Sequence, residues 1–378
     1  MITFVIQNET HAHNFAPIIE LLLEYDIKSD QINTIHLDGL TGLNTASLLS
    51  AQKKDILPIF SKTPFYRLKS LSRIIFLLRN SSLIKNSVLN TNVLVVGNDG
   101  AIQRLMSRTV RKNGGRTLLL LDGLLHPWPR QGISRLKKIL KRNILKLCAS
   151  LGLDHLAPSD VAHSRLDHIF VMNKYVENLL RDQGIVSRSD VISLPRFANY
   201  INDYFLLRNN ETQSRFRILY VTGAFLWHNE LELDKCQQED INDITEFASL
   251  NPNVDIRIRI HPREEKERYS NRVWPSNVTL TDASQSPLQD IAWASVLLTA
   301  RSTMALEAQI VGLPVVLYTR NFPLPGPDSF FSQDPYFVFY NNLNAIYANR
   351  NTFSMQEQKH PEQSLDKIVQ QIKLYSLK

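Results

Sequence analysis

The stretch Leu297–Tyr318, LLTARSTMALEAQIVGLPVVLY, leaves few folds open. It reads as a buried strand, a polar turn, an amphipathic helix and a second buried strand, the crossover unit of a sheet covered on both faces. Ser302 and Thr303 fall where the helix begins. A helix start presents unpaired backbone N–H groups and the positive end of its dipole, which together favour an anion. Hydroxyls at that turn add donors. Glu307 follows one turn later, near where a ribose would lie if a phosphate occupied the helix start. Upstream, Arg257–Arg263, RIRIHPR, ends another apolar run and delivers His261 to a strand's carboxyl end. In open α/β sheets that edge is where ligands bind. The natural reading is a site for a nucleoside mono- or diphosphate.

At 378 residues the chain is too long for one small domain, and a hydrophobic content of 43% is ample for two cores. The two cysteines, Cys148 and Cys236, lie far apart in sequence and build neither a disulfide framework nor a Cys-based metal site. That usage suits a reducing compartment. MITFVIQNETH has no basic leader and reads as a first strand, not a signal peptide. No apolar run approaches the roughly 20 residues that span a bilayer. A cytoplasmic protein is the expectation.

The net charge of +7 is concentrated in the first half. In Ser134–Leu153 the apolar Leu136, Ile139, Leu140, Ile144, Leu147 and Leu151 recur at helical spacing, with Lys137, Lys138, Lys141, Arg142 and Lys146 over much of the rest. Such a helix either docks on an anionic inner-membrane surface or packs on the core with its lysines solvated. Tyr66–Arg79 is a second basic segment. Nucleic acid is not an expected partner, because the aromatics are not interleaved with the basic runs.

Alternation of short apolar runs with helical patterns continues through the chain and predicts two doubly wound domains. In the first half strands are expected at Ile2–Gln7, Gln31–Leu37, Val93–Gly97, Thr117–Leu121, His168–Met172 and Val191–Leu194. Helices are expected near His13–Tyr25, Leu68–Leu78, Gly100–Asn113, Ser134–Leu151 and Lys174–Gln183. Residues 1–200 form a first, acceptor-binding domain in this reading, the polar segment 201–215 a linker, 216–360 a nucleotide-sugar domain and 361–378 a C-terminal helix. In the second domain strands are expected at Phe216–Thr222, Val254–Ile260, Val278–Thr281, Val296–Thr299 and Pro314–Tyr318. Its helices are expected near Asp240–Ser249, Pro287–Ala294 and Thr303–Val311.

Five places could carry chemistry. Asp122-Gly123 ends the run Thr117–Leu121, where a carboxylate can act as a general base beside a glycine that admits a ligand, or can serve only as a turn residue. Asp99-Gly100 ends the preceding strand in the same way; Asp99 is an alternative base, or the N-cap of the helix from Ala101. His261-Pro262 can donate to a phosphate oxygen or protonate a leaving phosphate, the proline setting the strand's exit. Arg301, Ser302, Thr303 and Glu307 complete a donor site, with Thr222-Gly223 after the domain's first strand. Helix capping alone would also explain Ser302 or Thr303. No metal site and no cofactor are implied: His11 and His13 have no carboxylate-rich partner segment. GxGxxG, Walker A and GxSxG motifs are absent.

Taken together, strand–HP followed by strand–(S/T)(S/T)xxALEAxxxGxPVV resembles the GT-B glycosyltransferases of bacterial surface polysaccharides, above all capsule-type Kdo transferases and bacterial sialyltransferases. LLLLDGLLHPWPR takes the place of their DG element, His261-Pro262 of their HP element and Ser302-Thr303 of their hydroxyl pair. The likeness covers mainly Thr117–Arg130 and Phe216–Tyr318. Leu121 stands where many relatives carry a second acid, and the pair is Ser-Thr where theirs is Ser-Ser. The resemblance implies two Rossmann-like domains facing a cleft and metal-independent transfer of Kdo or a sialic-acid-like sugar from a CMP-activated donor. The acceptor would be a lipopolysaccharide, capsule or other surface glycan. Asp122 would deprotonate it, or act covalently if configuration is retained. His261, Ser302 and Thr303 would hold the phosphate, and Glu307 the ribose. Alternatives are a CDP-polyol or UDP-sugar transferase, a UDP-sugar 2-epimerase, and a non-catalytic protein that binds glycan or membrane.

Overall fold

The computed structural model describes residues 1–41, 43–49, 53–59, 70–121, 143, 153, 166–182, 188–209, 215–227, 229–323, 330–334, 336–355 and 362–376. The chain forms two compact units, Met1–Ala198 with Pro361–Lys378, and Asn199–His360.

In the first unit seven parallel strands run in the order β3-β2-β1-β4-β5-β6-β7. They are β1 (Ile2–Ile6), β2 (Ile32–His36), β3 (Lys53–Ile56), β4 (Val93–Val96), β5 (Arg116–Leu120), β6 (His168–Val171) and β7 (Arg188–Val191). The second unit has six parallel strands in the order β10-β9-β8-β11-β12-β13. These are β8 (Phe216–Val221), β9 (Val254–Arg259), β10 (Val278–Thr281), β11 (Val296–Thr299), β12 (Val315–Tyr318) and β13 (Phe337–Tyr340). Central strands are buried along their whole length, as in VLVV of β4 and VLLT of β11. Parallel sheets covered on both faces require such uninterrupted apolar runs, because each crossover lays a helix on the sheet. In both units the strand order reverses direction beside the first strand, between β1 and β4 and between β8 and β11.

Several elements differ from expectation, each for a physical reason. The helix predicted from His13 begins at Glu9, because the Asn8 side chain accepts the His11 N–H at 2.8 Å and caps it. The helix predicted at Asp240–Ser249 spans Leu231–Leu250. Its first half buries Asp234 and Gln237, so no apolar period announced it. The edge strand is Arg188–Val191 and not Val191–Leu194: an edge needs little apolar surface, and the apolar residues after it leave the sheet for a turn at Pro195–Phe197. Strands β3 and β13 and the helix Leu343–Ala348 were not anticipated.

The segment read as a linker is corrected too. Tyr200–Asn209 is a helix of the second unit. Tyr204 is fully buried, and Arg208 donates to the carbonyls of Ala292 (2.8 Å) and Ala294 at the end of the helix Pro287–Trp293. Those carbonyls have no partner within their own helix, so a cation there satisfies both bonding and dipole. The final helix, Glu362–Ser376, packs on the first unit through Ile368, Val369 and Ile372, with Lys367 paired to Asp190 at 2.6 Å and Ser364 accepting from Ser193 N–H at 2.9 Å.

Candidate functional site

The carboxyl ends of β9, β8 and β11 are neighbours in the second sheet, and the strand order reverses between β8 and β11. Thr222 follows β8, His261 follows β9 by two residues, and Arg301-Ser302-Thr303 follows β11. The three candidate segments of this unit therefore meet at one edge, at the topological switch point. Thr299 ties two of them together. Its hydroxyl donates to the Val221 carbonyl at 3.0 Å and accepts the Ser302 N–H at 3.0 Å.

His261 is held by a buried scaffold. Its N–H donates to the Thr222 hydroxyl at 2.9 Å, and the Thr222 proton goes to the Glu264 carboxylate, a stronger acceptor than the Arg259 carbonyl at 3.2 Å. Glu264 also accepts from Gln237 at 2.8 Å and from the Tyr269 hydroxyl at 2.6 Å. Burial, with the Glu264 carboxylate beside it, pushes the Tyr269 phenol well above its ordinary pKa, so Tyr269 remains a donor. The imidazole Nδ1 accepts the Arg263 N–H at 3.1 Å. A neutral ring must then carry its proton on Nε2, which makes that nitrogen a donor.

Thr222 and Gly223 were expected to meet the phosphate, and their environment gives them another part. Thr222 is fully buried with its hydroxyl engaged. The Gly223 N–H is taken by Gln237 at 2.6 Å, and a Cβ there would lie 2.8 Å from the Phe225 ring. Both support the turn that presents His261.

On the β11 side, the Ser302 Oγ accepts the Met304 N–H at 3.2 Å and keeps its own proton to donate. Thr303 is exposed and makes no side-chain cap at the short helix Met304–Ile310. Glu307, half-buried on that helix, accepts the Tyr200 hydroxyl at 2.6 Å. Arg301 pairs with Glu230 and lies 4.8 Å over the Phe225 ring. Burial lowers its pKa against the opposing pull of Glu230, and the guanidinium stays cationic. Pro262 is exposed after His261. Sequence reasoning missed Tyr200, Glu230, Gln237, Glu264 and Thr299. Glu264 alone left a signal, an acid three residues beyond His261.

In the first unit, Asp122 and Gly123 lie outside the described residues, as does nearly all of the basic segment from Ser134. Asp99 is buried and pairs with the buried Arg104 at 3.3 Å, while Gly100 takes the N-cap position expected for Asp99. A carboxylate that compensates a buried guanidinium is committed to that charge. Among the described residues no group of three His, Cys, Asp or Glu could hold a metal ion, and no helix is long and apolar enough to cross a membrane.

No family model matches the chain, and no curated protein matches it. Solved structures do. The UDP-GlcNAc 2-epimerase of Methanocaldococcus jannaschii, in complex with UDP-GlcNAc and UDP, superposes with a TM-score of 0.60 at 15% identity over 99% of both chains. The fold is GT-B. The UDP-GlcNAc 2-epimerase of Neisseria meningitidis bound to UDP-GlcNAc gives 0.60 at 14% identity, again over 99% of both chains. MurG of Acinetobacter baumannii gives 0.51 at 12% identity over 99% of each. At such identities the likeness is one of fold.

Proposed function

We propose that this GT-B chain is a glycosyltransferase that binds a nucleotide-activated sugar at the carboxyl edge of its second sheet. The observation that supports it best is the meeting of His261, Ser302 and Thr303 at the switch point, with His261 oriented by Thr222 and Glu264. In this reading Nε2–H of His261 and the two hydroxyls donate to the phosphate and stabilise the charge that develops as it leaves. Arg301 stiffens the adjacent loop, and Glu307 accepts from the ribose. Asp122 is the proposed base for the acceptor hydroxyl. The finer proposal follows the HP and Ser-Thr resemblance: a CMP-activated Kdo or sialic-acid-like donor, a surface-glycan acceptor, and a basic segment from Ser134 that holds the enzyme near an anionic membrane.

A second reading is favoured by a specific finding. Structures that match the chain from end to end include epimerases solved with UDP-GlcNAc or UDP bound. A UDP-sugar 2-epimerase would use the same phosphate contacts.

Thermal shift with CMP, CDP, UMP, UDP and GDP tests both, because a ligand of the folded state raises Tm by mass action. Stabilisation by CMP, lost in His261→Ala, is the outcome expected of a CMP-sugar transferase. Stabilisation by UDP together with conversion of UDP-GlcNAc to its 2-epimer, followed by proton NMR, would replace that reading with the epimerase. No response to any nucleotide would refute the phosphate site.

A further inference from the structure

The basic side chains that follow the second sheet's strands are almost all spoken for. Arg259, at the end of β9, pairs with Asp290, Lys266 with Asp282, Arg268 with Asp234, Arg301 with Glu230 and Arg320 with Asp243. Arg263 differs. Among the described residues no carboxylate lies within ion-pair distance of its guanidinium. It lies 5.9 Å over the ring of Trp227, itself 46% exposed.

Its placement follows from the turn. The Arg263 N–H is bonded to Nδ1 of His261, so the residue sits in the tight turn directly beyond the imidazole. Its side chain reaches the loop after β8, since that loop carries Trp227. The same loop is gripped at Phe225 and Glu230 by Arg301. Two guanidiniums thus flank one loop, one neutralised and one not. A guanidinium over an aromatic face keeps its in-plane N–H donors, which match a carboxylate or a phosphate edge.

We infer that Arg263, positioned by Trp227, receives a second anionic group of the sugar nucleotide, beyond the phosphate held at His261, Ser302 and Thr303. This rests on the phosphate site proposed above. Two ligand groups have the required chemistry: the β-phosphate of a nucleoside diphosphate sugar and the carboxylate of a keto-acid sugar linked through a monophosphate. Arg263 is thereby a specificity residue.

Titration calorimetry on the full chain separates the sources. UMP is compared with UDP, and CMP with CMP-N-acetylneuraminic acid, on the native protein, Arg263→Met and Arg263→Lys. The native protein should bind one of the two doubly anionic ligands about ten- to a hundredfold more tightly than its monophosphate, as a charge-assisted bond to an anion implies. That ratio should collapse in Arg263→Met and be partly kept in Arg263→Lys. A preference for UDP assigns the β-phosphate, and a preference for the sialyl nucleotide assigns the carboxylate. An equal ratio in the native protein and Arg263→Met overturns the inference while leaving the phosphate site standing. So does a native protein that binds monophosphates without favouring either doubly anionic ligand. A native protein that binds none of the four overturns the phosphate site, and this inference with it.

Discussion

The two sheets reverse their strand order at equivalent places and carry different side chains there. Between β1 and β4 neutral amides bond one another beside the buried His11 ring: the Gln7 side-chain oxygen accepts from the half-buried Asn98 at 2.8 Å and from the buried Gln103 at 2.7 Å. The charges nearby, Asp99 and Arg104, are buried against each other. Between β8 and β11 the edge presents hydroxyls, an imidazole and a guanidinium, backed by the carboxylate of Glu264. One architecture therefore carries mutually bonded amides at one switch point and hydroxyls, an imidazole and a guanidinium at the other. The fold supplies the position, and a few loop residues supply the charge.

The strongest way to break that contrast is a glycine substitution at each edge. A Cβ at Gly97, after β4, would lie 2.5 Å from the ring of His11, which is buried with its Nδ1 accepting the Gln7 N–H. Gly97→Ala should cost about 1–3 kcal/mol, as overpacking of a closed site does, read as a lower urea midpoint at unchanged slope. Gly223→Ala meets the Phe225 ring at 2.8 Å, a less severe approach than that at Gly97, and should cost less. The reverse order would show that the first unit's edge yields more readily than its packing implies.

Protonation sharpens the contrast next. In the second unit Asp240, buried on the helix that also carries Gln237, is pushed up to about 7, chiefly by burial. The folded state therefore holds that proton more tightly than the unfolded chain does. Stability of this unit should fall as pH rises from the unfolded value of about 4 toward 7, by at most about 1.4 kcal/mol per pH unit. In the first unit, burial lowers the pKa of His36 and of His168. There the unfolded chain binds the proton better, and stability should fall as pH drops below the ordinary histidine value. Hydrogen exchange normalised for intrinsic rates should show β8 better protected at pH 5 than at pH 8, and β2 the opposite. Asp240→Asn should remove the response of β8 alone; an unchanged response would place its origin elsewhere.

The smallest effect concerns Tyr200. Tyr200→Phe removes the 2.6 Å bond to Glu307 and should cost about 0.5–1.5 kcal/mol of stability. If Glu307 meets the ribose, the variant should also narrow the preference for UMP over dUMP by about two- to fivefold, measured by calorimetry. An unaltered preference would remove Glu307 from the ribose.

The elements that were legible share one property: they bury apolar side chains at a regular period. VLVV, VLLT and the helix within Leu297–Tyr318 needed only hydrophobic pattern, and His261, Ser302 and Thr303 stood out because they end such runs. Two of the misread segments depend on polar contacts instead. The first turns of Leu231–Leu250 face inward with Asp234 and Gln237, and Tyr200–Asn209 is secured by Arg208 on the carbonyls of another helix. No local pattern encodes such bonds, since each partner lies tens of residues away.

By itself, then, the sequence determined the parallel α/β class, the two-unit organisation and which polar residues end the strands, because burial on both faces of a sheet writes itself into composition and period. Only the tertiary structure decided how those strand-end side chains are paired. Thr222 and Gly223 are spent on Glu264 and Gln237, and Arg301 on Glu230, while Arg263 has no carboxylate partner among the described residues. Pairing in three dimensions settles whether a charge remains for a ligand, and it is decided by neighbours that the linear order keeps apart.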